Sequence, residues 1–170
     1  MLDAPFVKMT TDPSTPYETR LNRLTIGLFV ALIALSIAGM LVLPDRIPIH
    51  FNVTGKPDRY GSSATLLILP GLCALTLGIL WAVRSVPPEL MNFPGPRTPE
   101  NVARQMQNIR RLLVTMRVLL VGSLVLTQAN WVWAALRPGR PLLLGYLIPI
   151  VLLGGLAPFV VRAYRIASNR

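Results

Sequence analysis

The chain has 170 residues, of which 52% are hydrophobic and 14% charged, against roughly 45–50% apolar and 25% charged in an average soluble domain. That depletion of charge excludes an ordinary soluble domain as the first reading, and the formal charge of +10 calls for a nucleic-acid partner only if the hydropathy leaves it unexplained. One cysteine excludes an intramolecular disulfide or a thiolate cluster, and one histidine leaves little material for metal or cofactor chemistry.

Residues 1–20 are polar and punctuated by Pro5, Pro13 and Pro16. They show no capping pattern and no apolar period, so residues 1–23 read as a tail. Leu24–Leu43 follows, 20 residues without a charge, long enough as a helix to cross the roughly 30 Å hydrocarbon layer. This run is longer than the 7–15-residue core of a cleaved signal and follows a polar stretch, which favours a retained span. Ala64–Val83 and Leu142–Val161 are further uncharged runs of 20, and Leu112–Leu136 is a run of 25 in which Arg117 is the one charge. The expected fold is therefore an all-α membrane protein, a bundle of four transmembrane helices over residues 24–162, with residues 163–170 as a second tail.

Helices in lipid associate through small residues and buried polar contacts. Gly27, Ala31, Ala34 and Ala38 form one stripe at helical spacing, and Gly71, Ala74, Gly78 and Ala82 another. Both are expected to face neighbouring helices. Pro70, Pro149 and Pro158 each remove an intrahelical bond, freeing the carbonyls of Leu66, Gly145 and Gly154. Cys73, in mid-span, reads as a small packing residue.

The segment between the first two spans has a different character. Ile49, Phe51 and Val53 alternate with His50, Asn52 and Thr54, and Gly55-Lys-Pro-Asp58 supplies turn chemistry. This is a short extended piece followed by a turn, expected to pack on the outer end of the bundle because unpaired backbone is excluded from lipid. Ser62 or Ser63 is placed to cap the second span. His50 is read first as structural, bonded to loop backbone or to Asp58, and second as a contact for a partner. No second histidine, cysteine pair or carboxylate cluster completes a metal shell around it. Asn52-Val-Thr54 also fits the glycosylation sequon, a pattern frequent by chance.

After the second span, Val86–Pro99 carries five prolines and reads as a loop. Thr98 is then a suitable N-cap, with Pro99 in the first helical position. Val102, Met106, Ile109 and Leu113 repeat at intervals of four, three and four. The third span should extend beyond the membrane or bend along its surface, with Arg97, Arg104, Arg110 and Arg111 as a basic segment at the lipid headgroups. Arg117, about one turn inside the run, is expected to snorkel to the interface. Gln128 and Asn130 lie near the other end, and Trp131 and Trp133 suit an aromatic belt. Arg137-Pro-Gly-Arg140 reads as a tight turn into the fourth span. With the N-terminus inside, 12 of the 17 basic residues fall on the cytoplasmic side, which the positive-inside rule prefers. Both termini are expected there, the segment between the first two spans then being extracytoplasmic.

That segment resembles the bacterial domain of unknown function 1648, which also forms the N-terminal half of SdpI-like immunity proteins. The resemblance rests on Leu43-Pro44, Ile47-Pro48, His50, Phe51, Asn52, Gly55, Asp58 and Tyr60 at the family's spacing, and covers roughly residues 25–70. Ser62-Ser-Ala64 stands where the family often has a lysine, and the larger C-terminal half of the immunity proteins has no counterpart here. The resemblance implies a bacterial inner-membrane protein, and no enzymatic activity is established for the family.

The leading expectation is a non-enzymatic membrane protein in which Pro48, His50, Phe51, Asn52, Gly55, Asp58 and Tyr60 form a loop for a ligand or partner. An extracytoplasmic peptide or another membrane protein would suit immunity or signalling. A small accessory subunit of a larger membrane complex is the alternative. A transporter has less support, because the spans lack acidic residues.

Overall fold

The computed structural model describes residues 14–137 and 147–168. In chain order these form helix α1 (Pro16–Val42), a hairpin of strands β1 (Arg46–Phe51) and β2 (Pro57–Ser62), and a 3-10 turn (Ser63–Leu67) leading into α2 (Ile68–Ala82). After short turns come α3 (Pro99–Leu136) and α4 (Leu147–Ser168). Four segments are long and apolar enough to span a membrane. Their outer surfaces expose Ile26, Val30, Leu41, Leu75, Ile79 and Leu153, an apolar area that only a bilayer covers in an isolated chain. The protein is a multi-pass membrane protein. Gly145, the Arg137–Arg140 turn beyond Arg137 and the start of the fourth apolar run lie outside the described residues.

Helix α1 starts well before the apolar run, and the reason lies in a signal the sequence reading overlooked. The Thr15 hydroxyl accepts from the Glu18 amide, and the Glu18 carboxylate accepts from the Thr15 amide, a complete capping box with Pro16 in the first turn. Residues 14–20 therefore do carry a capping pattern. At the start of α3, Thr98 accepts from the Asn101 amide as its spacing predicts. That helix is continuous for 38 residues, about 57 Å at 1.5 Å per residue.

Helix α3 is the element against which the others pack, with α1 and α4 along it and α2 more loosely applied. Val102, Met106 and Leu113 are buried against Leu80, Val83, Met91 and Phe93. The amphipathic repeat thus points into the protein and does not lie on a membrane surface. In mid-bundle Leu32, Cys73 and Val121 are fully buried together, Cys73 serving as a packing residue.

The small-residue stripes do not line these contacts. Gly27, Ala31, Ala34 and Ala38 are exposed, as are Gly71, Ala74, Gly78 and Ala82. The buried face of α1 is instead Glu18, Thr25, Leu32, Ser36 and Gly39. Periodicity identifies a face, but both a polar-plus-leucine face and a small-residue face have that period, and here the hydrogen-bonding face is inside. Close approach occurs at Gly39, where an added Cβ would stand 2.8 Å from Leu66 Cδ1 and 3.2 Å from Val132 Cγ2. At Gly27 nothing lies within 4 Å. Gly39→Ala is expected to destabilise the protein by about 1–3 kcal/mol through overpacking, whereas Gly27→Ala should be neutral or favourable by up to about 1 kcal/mol through helix propensity. Thermal unfolding in detergent distinguishes the two, and equal effects would contradict this packing.

The prolines behave differently from one another. Pro70 sits in the first turn of α2, just after the 3-10 segment, so it starts the α-helix instead of kinking it midway. The Leu66 carbonyl that it frees accepts from Gln128 Nε2 at 3.2 Å, and the same nitrogen donates to Ser36 Oγ at 3.0 Å. Ser36 in turn donates to the Leu32 carbonyl at 2.7 Å. Gln128, fully buried, therefore joins three elements through a carbonyl that a proline left open, the kind of repair that spans containing proline require. Pro158 lies inside a continuous α4.

Candidate functional site

The hairpin is the first candidate. Its two strands pair antiparallel, Arg46 opposite Ser62, Ile47 opposite Gly61, Pro48 opposite Tyr60 and His50 opposite Arg59, with an irregularity at Ile49. The expected extended piece at Ile49–Thr54 and turn at Gly55–Asp58 are thus corrected to two paired strands, Arg46–Phe51 and Pro57–Ser62. Pro57 is admissible because it opens its strand. Gly61 is required by packing: a Cβ there would meet Ile49 Cδ1 at 2.8 Å.

Asn52 builds the turn. Its Oδ1 accepts from the Thr54 amide at 3.0 Å, the Thr54 hydroxyl at 2.7 Å and the Lys56 amide at 3.0 Å. Gly55 follows at φ 77°, a left-handed conformation that glycine adopts without strain. Asn52 and Gly55 thus shape the hairpin more than they present chemistry.

The root of the hairpin is fixed to the bundle. Ile47 is 1% exposed and packs with Leu43 and Leu66 against Trp131, Val132 and Ala135 of α3. The Ser63 amide donates to the Asp45 carbonyl at 3.0 Å, and Ser62 Oγ accepts from the Ala64 amide at 3.2 Å. Pro48 is buried and Phe51 half-buried, whereas Asn52, Val53 and Tyr60 are exposed. His50 Nδ1 lies 2.6 Å from Asp58 Oδ1 across the two strands, with the side chains 58% and 43% exposed. The pairing with Asp58 matches one of the structural alternatives for His50. Both side chains of the pair are thus open to solvent at the hairpin surface.

The basic segment is not a uniform headgroup-facing surface, which corrects the sequence expectation. Arg97 donates to the Pro88 and Met91 carbonyls at 3.3 and 2.8 Å and stacks over Phe93. It ties the proline-rich loop together. Arg110 is 8% exposed and bonds Glu18 in bidentate fashion, Nε to Oε1 at 3.1 Å and Nη2 to Oε2 at 2.8 Å. A helical register that puts Val102, Met106 and Leu113 inside brings Arg110 to the α1 side, where the capping carboxylate is available. Arg111 is half-buried, and of the four Arg97 and Arg104 are exposed, Arg97 being turned onto its own loop. Arg117 also turns inward. Its Nη2 donates to the Leu80 carbonyl at 3.0 Å and Nη1 to Asn22 Oδ1 at 3.4 Å. Bonding to those oxygens within the bundle replaces the snorkelling expected from its position.

The polar residues that hold this end together went unnoticed in the sequence. Gln105 Nε2 donates to the Ala163 carbonyl at 2.9 Å and to Pro94 at 3.2 Å, and Asn108 Nδ2 to the Phe159 carbonyl at 3.0 Å. These bonds fasten α4 to α3. Their signal in the sequence is a set of amides recurring at three or four residues on the apolar side of α3, at Asn101, Gln105 and Asn108.

The hairpin with its flanking helices is also the part of the chain that a family model matches. Residues 27–83 match the domain of unknown function DUF1648. The matched DUF1648 region runs from within α1 through the hairpin to the end of α2. An uncharacterized protein of Archaeoglobus fulgidus is 34% identical over 60 residues, covering 31% of this chain and 33% of the relative. The chain thus spans about a third of the length of that curated relative. No solved structure matches the chain.

Proposed function

We propose that the protein is a non-enzymatic component of a bacterial cytoplasmic membrane, with both termini inside, whose hairpin recognises an extracytoplasmic peptide or membrane-protein partner. The observation that supports this reading is the division within the hairpin. Ile47 and Pro48 are buried at its root, while the His50–Asp58 pair, Val53 and Tyr60 stand in the open on a backbone pinned by Asn52. Such a surface offers a partner an aromatic ring, an aliphatic tip and a hydrogen-bonding pair whose geometry is already set, which lowers the ordering cost of binding. In an immunity or signalling role, a membrane-active peptide would contact this tip.

A photoreactive residue in place of Val53 is expected to give a discrete protein or peptide adduct that Asp58→Ala abolishes. Adducts to lipid alone, or an adduct indifferent to Asp58→Ala, would contradict the reading. Because the His50–Asp58 pair is exposed, His50→Ala should change stability by less than about 1 kcal/mol, so loss of the adduct in that variant would report on recognition. Unfolding in detergent checks the first half of that statement.

A second reading, an accessory subunit of a larger membrane complex, draws on the exposed small-residue stripes of α1 and α2. Small residues permit close helix approach in lipid. A stoichiometric partner after mild-detergent purification, lost on enlarging Ala31 and Ala34 to leucine, would favour it.

A further inference from the structure

At the end opposite the hairpin, α1, α2 and α3 enclose a cleft of about 500 Å³. Its lining includes Asn22, Thr25, Gly78, Trp81, Arg84 and Arg117. Arg117 is 6% exposed, and its buried Nε has no hydrogen-bond partner among the described residues. Arg84 is half-buried and likewise has no hydrogen bond or ion pair among the described residues. The two guanidinium groups line the same cleft, where like charges repel. The Glu18 carboxylate has both oxygens bonded to Arg110. Among the described residues the cleft is thus lined by two guanidinium groups and by no carboxylate. Uncompensated charge beside an apolar helix bundle is costly, and an anion entering the cleft would relieve that cost.

The position of the cleft identifies the anion. Asn22 and Arg84 bracket the apolar runs of α1 and α2, and Trp81 is 66% exposed at the same level, the depth at which indole rings meet lipid headgroups. Below it Gly78 leaves open space on the helix surface, where an acyl chain can lie. Guanidinium groups bind phosphate oxygens through paired charge-assisted hydrogen bonds. We propose that this cleft binds an anionic phospholipid, its phosphate held by Arg84 and Arg117 and one acyl chain passing over Gly78 between α1 and α2. The lipid would supply contacts that α2 lacks through its looser packing on the bundle. This inference is independent of what the hairpin recognises.

The test is lipid titration of the delipidated 170-residue protein in mild detergent, read by native mass spectrometry, with phosphatidylglycerol, phosphatidylcholine and inorganic phosphate as probes. Phosphatidylglycerol is expected to bind about tenfold more tightly than phosphatidylcholine, and Arg84→Gln to remove about that factor, the size expected for a charge-assisted hydrogen bond. Arg104→Gln removes the same charge from an exposed site outside the cleft and should change binding by less than about twofold. Arg117→Gln should also weaken binding, but Arg117 carries helix contacts, so Arg84→Gln is the deciding variant. Unchanged binding in Arg84→Gln, an equal loss in Arg104→Gln, or equal affinity for both lipids would overturn the proposal. Displacement of the lipid by excess inorganic phosphate would assign the cleft to free phosphate instead.

Discussion

Glu18→Ala is expected to destabilise the protein by about 3–5 kcal/mol, the cost of leaving one partner of a buried ion pair without the other. Glu18 is 3% exposed and Arg110 8%, and their bidentate contact joins α1 to α3. The same carboxylate closes the capping box at the start of α1, so its removal frays that helix and takes the bidentate carboxylate from Arg110 at once. Replacing both partners by apolar residues, as in Glu18→Leu with Arg110→Met, should recover a large part of the loss, because the desolvation cost of both charges disappears. Thermal unfolding in a nonionic detergent, followed by circular dichroism, measures both variants. A single variant within about 1 kcal/mol of the parent would show that the pair is solvated and not buried.

Ile47→Ala should have a comparable local effect, about 2–5 kcal/mol for truncating a buried aliphatic side chain, at the opposite end of the molecule. A two-stranded hairpin is at best marginally stable alone, so the order of residues 46–62 depends on what its root packs against. That is Leu43, Leu66 and the face of α3 around Trp131 and Val132. The expected result is faster hydrogen exchange across β1 and β2, with the exchange of α1 and α3 little altered. Uniform acceleration across all helices would mean that the hairpin root belongs to the core of the bundle and not to a separable attachment.

The four-helix architecture was legible because uncharged runs of 20 residues have few alternatives to spanning a bilayer. The alternation through Ile49, Phe51 and Val53 overlaps only the second half of β1, which starts at Arg46, and runs on into the turn. Strand β2 was not legible, since Pro57, Asp58 and Gly61 all have low strand propensity, and they become a strand only by pairing with β1 across the Asn52–Gly55 turn. The faces of the helices were misread for a related reason. Small residues at helical spacing were assigned to the interior, while the interior is in fact organised by Glu18–Arg110, Gln128 and the amides of α3. Those contacts join residues more than 50 positions apart, and periodicity within one helix does not reveal which side its neighbour will occupy. At the hairpin, Asp58 is one of two structural partners the sequence offers His50, the loop backbone being the other, and the fold selects Asp58. The arginine cleft was not legible, because Arg84 and Arg117 meet only through the packing of α2 on α3.

In the proposed orientation a charged, internally bonded end anchors the chain on the inner side of the membrane and the hairpin is presented on the outer side. Two single-cysteine variants in a Cys73→Ala background test this directly, one at Val53, which is 86% exposed, and one at Ser14, exposed before α1. In intact cells a membrane-impermeant maleimide should label the Val53→Cys variant and leave the Ser14→Cys variant unlabelled until the membrane is permeabilised. Labelling of Ser14→Cys with protection of Val53→Cys would contradict the account.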